Sequence, residues 1–373
     1  MSTAVQVSAG SPSASTGHIL SLDSYRFLAA SMIVVLHYDS DFVLGLSKYL
    51  PTLRKLDLFV DFFFILSGFV IARSYASKVS SWPLYFQFLQ KRFARIYPLH
   101  LLTLGLVVLM VVIAAAGNIR INHPEVYEWK GLLPTIFLVQ AWGTLDHNTF
   151  NLPAWSISAE QFVYLLFPIF VLMSRRLPLF VNGVCIVVFI VAFQYSGLLP
   201  GGAHWTNVNS DFGNLRAVPT FFAGILLAQL LDRSPPRIWL GWGAIHGLFV
   251  ACVAAILIGL PDELVLIGFG VILFCAACAE LAGAPTFLAT PTFALLGNAS
   301  FAIYLLHRIL DIPVVFLLRK IGLYGTVAAP FFAVATYGLC VLLALLCYRY
   351  FETPARRYIS NLNLSRHPAR AAD

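Results

Sequence analysis

Long apolar runs, separated by short polar or basic clusters, make up most of the sequence. A helix needs about 20 residues to cross a bilayer, and ten of the runs are close to that length. They lie at residues 25–44, 57–76, 97–117, 154–173, 178–196, 215–231, 238–259, 263–282, 294–317 and 327–349. The runs lack the two-residue alternation of barrel strands, and only helices and closed barrels satisfy their backbone in lipid. We therefore predict an all-α polytopic membrane protein with about ten transmembrane helices.

An eleventh apolar stretch, residues 131–142 (GLLPTIFLVQAW), is too short to span in the same way and contains Pro134. Proline removes a helical hydrogen bond and tends to end or bend a helix. We expect this stretch to be a re-entrant or interfacial segment, and the sequence leaves open whether it crosses.

The two ends of the chain differ in composition from the middle. Residues 1–18 are rich in Ser, Ala and Gly and have no Lys or Arg, so they lack the basic region of a cleaved signal peptide. We expect a disordered cytoplasmic tail there. No repeat of about 20 to 50 residues and no long polar insert divides the remainder. We therefore expect one membrane-embedded domain over residues 19–358 and a cytoplasmic tail over residues 359–373.

Composition supports a protein whose surface faces lipid. The chain is 59% hydrophobic and 11% charged, whereas an ordinary soluble domain carries about 25% charged residues. This excludes a water-soluble enzyme, a disordered chain, a coiled coil and a fibre. The net charge of +7 comes from short basic clusters between apolar runs. Because a nucleic-acid binder gathers such residues on one solvated face, we expect the bilayer as a partner and no nucleic acid.

The Lys and Arg residues favour one orientation in the membrane. With ten crossings and the N-terminus inside, the inner side holds 15 of them and the outer side seven. Positive charge concentrates on the cytoplasmic side, so we expect both termini there and a multi-pass location in the cytoplasmic (inner) membrane. If residues 131–142 crossed, every later loop would change sides and the basic C-terminal tail would lie outside.

The cysteines do not indicate a metal or disulfide site. All six lie in or beside apolar segments, so a disulfide framework is not expected. Cys275 and Cys278 have metal-ligand spacing, but a zinc site needs about four ligands and no second pair exists. We therefore expect packing roles for these residues and no bound metal.

Ionisable side chains inside the apolar runs are costly in hydrocarbon, so their positions are informative. His37 lies eleven residues beyond Arg26, about 16 Å further along the helix, which places it in the outer half. Asp61, Glu160 and His307 belong to the same outer or central group. Imidazole titrates near neutrality and a neighbouring carboxylate can fix its tautomer, so the group has the composition of an acid–base site.

Structural roles for the same residues remain open. An intramembrane histidine such as His37 can be a hydrogen-bonded contact between helices. Asp61 and Glu160 can cap helices or pair with arginine. His307 can bond Tyr304, its neighbour on one face of the helix.

A second, inner group consists of arginines. Arg92 and Arg95 are three residues apart in KRFARIYP, so both can project from one side of a helix start and hold an anion such as a phosphate. Arg26, Arg356 and Arg357 lie at the same level. Arginine at a cytoplasmic helix end also anchors orientation and reaches lipid headgroups, and these residues alone do not decide between the two roles.

The ordered set of segments resembles the acyltransferase-3 family, whose polytopic membrane enzymes O-acylate sugars and some small molecules. Each segment is weak evidence alone, but together they are fairly specific and run from near the start to near the end of the chain. The segments are 22–38 (LDSYRFLAASMIVVLHY), 60–73 (VDFFFILSGFVIAR), 91–100 (KRFARIYPLH), 152–168 (LPAWSISAEQFVYLLFP), 298–307 (NASFAIYLLH) and 351–357 (FETPARR).

The resemblance implies roles for the two groups of residues. His37 matches the family's essential histidine, proposed as the base in acyl transfer, and we expect Glu160 or Asp61 to orient it. Arg92 and Arg95 match the RxxR pair thought to serve the acyl donor on the cytoplasmic side.

Other matched residues extend the expected site. Asp23 and Arg26 fit the start of the pattern, with DSYR in place of the usual DGLR. We expect Arg26 and the SGF residues Ser67 and Gly68 beside the donor. Beside the acceptor we expect Trp155 and Ser156, from the W-S-x-S-x-E element that also contains Glu160, and His307.

Together these features predict a membrane O-acyltransferase. The resemblance implies transfer of an acyl group, most commonly acetyl, from cytoplasmic acyl-CoA to a hydroxyl of a cell-envelope or exported saccharide. Acetyl-CoA would be a co-substrate, with no permanently bound cofactor. Many relatives carry a C-terminal SGNH domain, and this chain ends 16 residues after Arg357, so we expect it to work alone or with a partner.

Several alternatives stay open at this stage. A secondary transporter or flippase would also place Asp, Glu and His inside a helical bundle, and so would a non-catalytic scaffold. Within the enzyme class, transfer can proceed in a ternary complex or through an acyl-histidine. A homo-oligomer is compatible with the sequence.

Overall fold

The computed structural model describes residues 18–79, 81–121, 123–233 and 237–362. Within these ranges the chain is helical and contains no β-strand. Residues 1–17 and 363–373, which include most of both predicted tails, lie outside the described residues. The expected domain boundary at residue 358 falls inside a described helix, Thr353–Asn361.

Ten described helices have 16 residues or more, and each overlaps one of the predicted apolar runs. They are α1 (Leu20–Asp41), α2 (Phe59–Tyr75), α3 (Trp82–Ala116), α4 (Ala154–Arg176), α5 (Leu179–Gln194), α6 (Gly213–Arg233), α7 (Trp242–Ile258), α8 (Asp262–Leu281), α9 (Pro291–Lys320) and α10 (Ala329–Cys347). A wider helical turn, Tyr348–Glu352, joins α10 to α11 (Thr353–Asn361). Short helical turns lie in the connections, the longest being Pro51–Leu58.

Six described helical segments are long and apolar enough to cross a membrane: α3, α4, α6, α8, α9 and the unit from α10 to α11. The apolar helices α5 and α7 are shorter. The described part of the chain is therefore all-helical, with several helices that are long and apolar enough to span a membrane. The number of ten crossings and the side on which the termini lie stay predictions.

One predicted boundary is wrong. Helix α3 begins at Trp82 and continues through Pro98, whereas the apolar run begins at residue 97. Lys and Arg are good helix formers, so the basic segment before Pro98 extends the helix. Arg92 and Arg95 consequently lie inside a long helix and not at a helix start.

Residues 131–142 do not form a continuous helix. A five-residue helix, Leu132–Ile136, is followed by Leu138 in the left-handed region with a φ of 55°. The segment is hydrogen-bonded to α4, because Ser158 donates to the Leu138 carbonyl and accepts from the backbone of Ala141. A five-residue helix is too short to span a bilayer.

Two glycines allow α2 and α6 to pack backbone against backbone. A Cβ at Gly68 would lie 2.0 Å from the carbonyl oxygen of Phe221, and a Cβ at Gly224 would lie 2.0 Å from that of Ile65. Small residues permit such close approach of membrane helices. The contact fixes the position of Ser67, the residue before Gly68, relative to the rest of the bundle.

A buried ion pair joins the same two helices. Arg216 on α6 is fully buried and donates to Asp61 at 2.6 Å and to Asp57 at 2.6 Å. A buried guanidinium needs such partners because desolvation of an unpaired charge is costly. Since Asp61 precedes Gly68 on α2 and Arg216 precedes Gly224 on α6, the two helices run parallel.

Helices α1 and α9 also run parallel and in close contact. A Cβ at Gly297 would lie 2.0 Å from the carbonyl oxygen of Asp23, so the early parts of both helices touch. Near the later parts, His37 contacts His307. This pairing brings together two of the segments that sequence analysis singled out.

We predict that Gly224→Ala destabilises the protein, because the new methyl group forces α2 and α6 apart. Overpacking of this kind costs about 1–3 kcal/mol, which should lower the unfolding temperature of the purified protein in detergent. Gly338→Ala on α10 is the matched control, since a Cβ there meets nothing within 4 Å. Equal unfolding temperatures for the two variants would contradict the close packing of α2 and α6.

Candidate active site

A cavity of about 100 Å³ lies among helices α1, α2, α3, α4 and α9. Phenylalanine, valine and isoleucine side chains form its apolar walls. Its polar lining includes six residues that the sequence marked as candidates: Arg26, Ser67, Arg92, Arg95, Ser156 and Glu160. Further hydroxyl groups in the lining belong to Tyr164, Ser300 and Tyr304. The fold therefore collects on one cavity polar residues from five helices.

One end of the cavity is basic. Arg26 is ion-paired with Asp23 at 2.8 Å. Arg92 lies with its guanidinium 5.2 Å from the ring centre of Tyr75, and its buried Nε has no hydrogen-bond partner among the described residues. Arg95 is one helical turn from Arg92. The three guanidinium groups can hold an anion with several charge-assisted hydrogen bonds.

Glu352 approaches the basic end from the turn between α10 and α11. Its carboxylate is 1% exposed and lies 4.0 Å from the guanidinium of Arg95. Neither carboxylate oxygen accepts a hydrogen bond from a described residue. Sequence analysis did not single out Glu352 as a site residue, although it lies in the matched segment 351–357.

The middle of the cavity contains a carboxylate bonded to two hydroxyl groups. Ser67 donates to Glu160 at 2.5 Å, and the hydroxyl of Tyr164 also donates to Glu160. The two hydroxyl oxygens are 3.2 Å apart. The spacing of Glu160 and Tyr164 by four residues places them on one face of α4, but it carries no information about Ser67.

The other end of the cavity is lined by a tyrosine. The hydroxyl of Tyr304 lies 2.9 Å from the hydroxyl of Ser156 and donates to the carbonyl of Pro153 at 3.2 Å. These bonds join α9 to α4. The ring of Tyr304 is 6.1 Å from that of His307, which lies about one helical turn further along α9.

Beyond Tyr304, two histidines form a pair. His37 Nδ1 and His307 Nε2 are 2.9 Å apart, and the rings stack with centres 5.0 Å apart. His307 is fully buried and its Nδ1 lies 3.3 Å from the carbonyl oxygen of Ile303. His37 is partly exposed. The pair therefore lies about one helical turn from the cavity, and His37 is the less buried of the two residues.

The structure places three predicted site residues elsewhere. Asp61 is paired with Arg216, because the buried guanidinium needs a counter-ion. Gly68 faces α6 and does not line the cavity. Trp155 packs beneath Arg216, with its ring 5.3 Å from the guanidinium, and it is also absent from the cavity lining.

Neither Glu160 nor Asp61 is a hydrogen-bond partner of His37 in the described part of the chain. Glu160 is bonded to Ser67 and Tyr164, and the described ring partner of His37 is His307. Two hydroxyl groups donate to Glu160 and one guanidinium donates to Asp61, so both carboxylates proposed to orient His37 have other partners.

Within the described ranges, no group of three or more His, Cys, Asp or Glu side chains has the arrangement of a metal site.

Comparison with known proteins agrees with this arrangement of segments. A family model described as an acyltransferase domain matches residues 19–349. Acyltransferase MdmB of Streptomyces mycarofaciens is 29% identical over 315 residues, covering 77% of this chain and 77% of MdmB. O-acetyltransferase OatA of Staphylococcus aureus is 23% identical over 368 residues, covering 90% of this chain and 57% of OatA.

No solved structure matches the chain. The family model nevertheless covers nearly the whole sequence and five of the six segments on which the resemblance rests. This protein belongs to the acyltransferase-3 family and is an acyltransferase.

Proposed function

We propose that this protein is a membrane O-acyltransferase that moves an acyl group, acetyl in the first instance, from acyl-CoA to a hydroxyl of a cell-envelope or exported saccharide. The observation that carries the proposal is one cavity with three arginines at one end and a histidine pair about one turn beyond the other. The name of the relative OatA, an O-acetyltransferase, supports acetyl transfer to oxygen.

The proposed topology has ten crossings, with both termini on the cytoplasmic side of the inner membrane. It is supported by the basic residues of the inner loops and by the parallel packing of α1 with α9 and of α2 with α6. In this orientation Arg26, Arg92 and Arg95 lie toward the cytoplasm and His37 toward the opposite face.

The arginines are proposed to bind the phosphates of acyl-CoA. Guanidinium groups form planar, multidentate bonds to phosphate, and the Nε–H of Arg92 has no hydrogen-bond partner among the described residues. Ser67 lies further along the same cavity, beside Glu160. The thioester arm would pass these groups and Tyr304 to reach His37, which is about 16 Å along α1 from Arg26.

His37 is proposed to act as the general base. It accepts the proton of the acceptor hydroxyl while the hydroxyl oxygen attacks the thioester carbonyl. The acceptor reaches the partly exposed imidazole from the face opposite the donor, close to Ser156. In this arrangement donor and acceptor bind together, as in a ternary complex.

We predict that His37→Ala lowers acyl transfer by about 100-fold or more, because a general base contributes about 10²–10⁴. The measurement is ester-linked label on glycans after incubation of purified protein with radiolabelled acetyl-CoA and a crude envelope glycan fraction. Donor binding should be unchanged. His123→Ala, in an exposed loop, is the matched control and should retain full activity. A folded His37→Ala protein that transfers at the parent rate would exclude the proposal.

We also predict that Arg92→Gln and Arg95→Gln each raise the KM for acetyl-CoA by about tenfold or more, since a hydrogen bond to a charged group contributes about 1.5–3 kcal/mol. Arg176→Gln at the end of α4 is the control, because Arg176 is exposed and lies outside the cavity lining.

If the arginines only anchor orientation, all three variants should behave alike. Thermal unfolding of each purified variant separates loss of donor affinity from loss of fold. Glycan counterflow without any donor would instead indicate a transporter.

A further inference from the structure

We propose that His307 is a positioning residue that fixes the tautomer and the ring orientation of His37, so that the basic lone pair of His37 lies on Nε2. This inference rests on the proposed role of His37 as the base. It replaces the expectation that a carboxylate orients the ring and that His307 contacts the substrate.

The tautomer follows from the hydrogen bonds of His307. The carbonyl of Ile303 can only accept, so the Nδ1 of His307, 3.3 Å away, carries the hydrogen. A neutral imidazole has one N–H group, which leaves a lone pair on Nε2 of His307. The 2.9 Å contact with His37 Nδ1 then requires that His37 donate. His37 therefore has its hydrogen on Nδ1 and its lone pair on Nε2.

The surroundings of His307 favour its neutral form. The side chain is fully buried, and the next residue, Arg308, already carries a positive charge. Arg308 is ion-paired with Asp41 and with Asp311, so both nearby carboxylates are engaged. A buried imidazolium without its own counter-ion would be costly.

The different roles of the two histidines agree with their different exposure. Both ring nitrogens of the buried His307 have protein partners, which leaves this side chain no free polar atom to bind a substrate. His37 is partly exposed, and its Nε2 has no hydrogen-bond partner among the described residues. Nε2 of His37, which carries the basic lone pair in this tautomer, is thus the nitrogen that an acceptor hydroxyl can reach.

In the proposed step, the acyl group moves from the sulfur of CoA to the acceptor oxygen, and one proton moves from the acceptor to the CoA sulfur through His37. The acceptor hydroxyl gives its proton to Nε2 of His37 as its oxygen forms the new bond to the acyl carbon. The carbon–sulfur bond of the thioester then breaks, and the imidazolium returns the proton to the CoA thiolate. While His37 is charged, its Nδ1–H donates more strongly to Nε2 of His307, which stabilises the cation.

Three substitutions of His307 test this role. A Gln side chain can place its amide oxygen near the position of Nε2 and accept from His37, whereas Asn mimics only Nδ1 and Leu mimics neither. We predict that His307→Gln keeps kcat within about tenfold of the parent. His307→Asn and His307→Leu should lower kcat by about 100-fold or more, as expected when a catalytic histidine loses its orienting partner.

The KM for acetyl-CoA should stay unchanged in all three variants, because His307 touches no donor. Equal losses for His307→Gln and His307→Asn, or losses confined to KM, would overturn the inference. Full activity of His37→Ala would instead overturn the proposed function itself, so the two failures are distinguishable. Thermal unfolding of all three variants separates a loss of kcat from a loss of fold, and the measurement below tests the tautomer in the parent protein.

A spectroscopic measurement tests the tautomer directly. In ¹⁵N-histidine-labelled protein in detergent, the His37 signals are identified by their loss in His37→Gln. The parent protein should show His37 with hydrogen on Nδ1, and His307→Leu should shift the signals toward the other tautomer. Hydrogen on Nε2 of His37 in the parent protein would contradict the assignment.

Discussion

Every charged group inside a lipid-facing bundle must find its partner within the protein, since hydrocarbon supplies neither water nor counter-ions. Most charges here do so. Arg216 is held by Asp57 and Asp61, and Arg308 is held by Asp41 and Asp311. These ion pairs link helices that are distant in the sequence, and they stabilise the fold.

At the basic end of the cavity, the pairing of charged groups is incomplete. The Nε of Arg92 and both carboxylate oxygens of Glu352 are buried without hydrogen-bond partners among the described residues, and Arg95 is 4.0 Å from Glu352. Buried polar groups are normally satisfied. The Nε of Arg308 also lacks a partner among the described residues, but Arg308 does not line the cavity. The unsatisfied donor of Arg92 does, and it therefore agrees with an anionic ligand.

One short segment combines packing and chemistry. In the SGF element, Gly68 allows contact with α6, while Ser67 turns toward the cavity and donates to Glu160. Consecutive residues on a helix point about 100° apart, so neighbours can serve the two purposes. The same holds on α9, where Tyr304 lines the cavity and His307, one turn later, contacts the proposed base.

The positions of the long helices were determined by the sequence itself, because the length of an apolar run sets whether it can cross a bilayer. So was the face shared by Glu160 and Tyr164, since helical spacing is local. The partner of each buried group was decided only by tertiary structure. Arg216 donates to Asp61, and the ring of His37 contacts His307, which lies 270 residues away in the chain. Periodicity reveals which face of a helix is polar. It cannot reveal which other helix that face will meet, because this depends on close contacts such as Gly68 with α6 that act between distant parts of the chain.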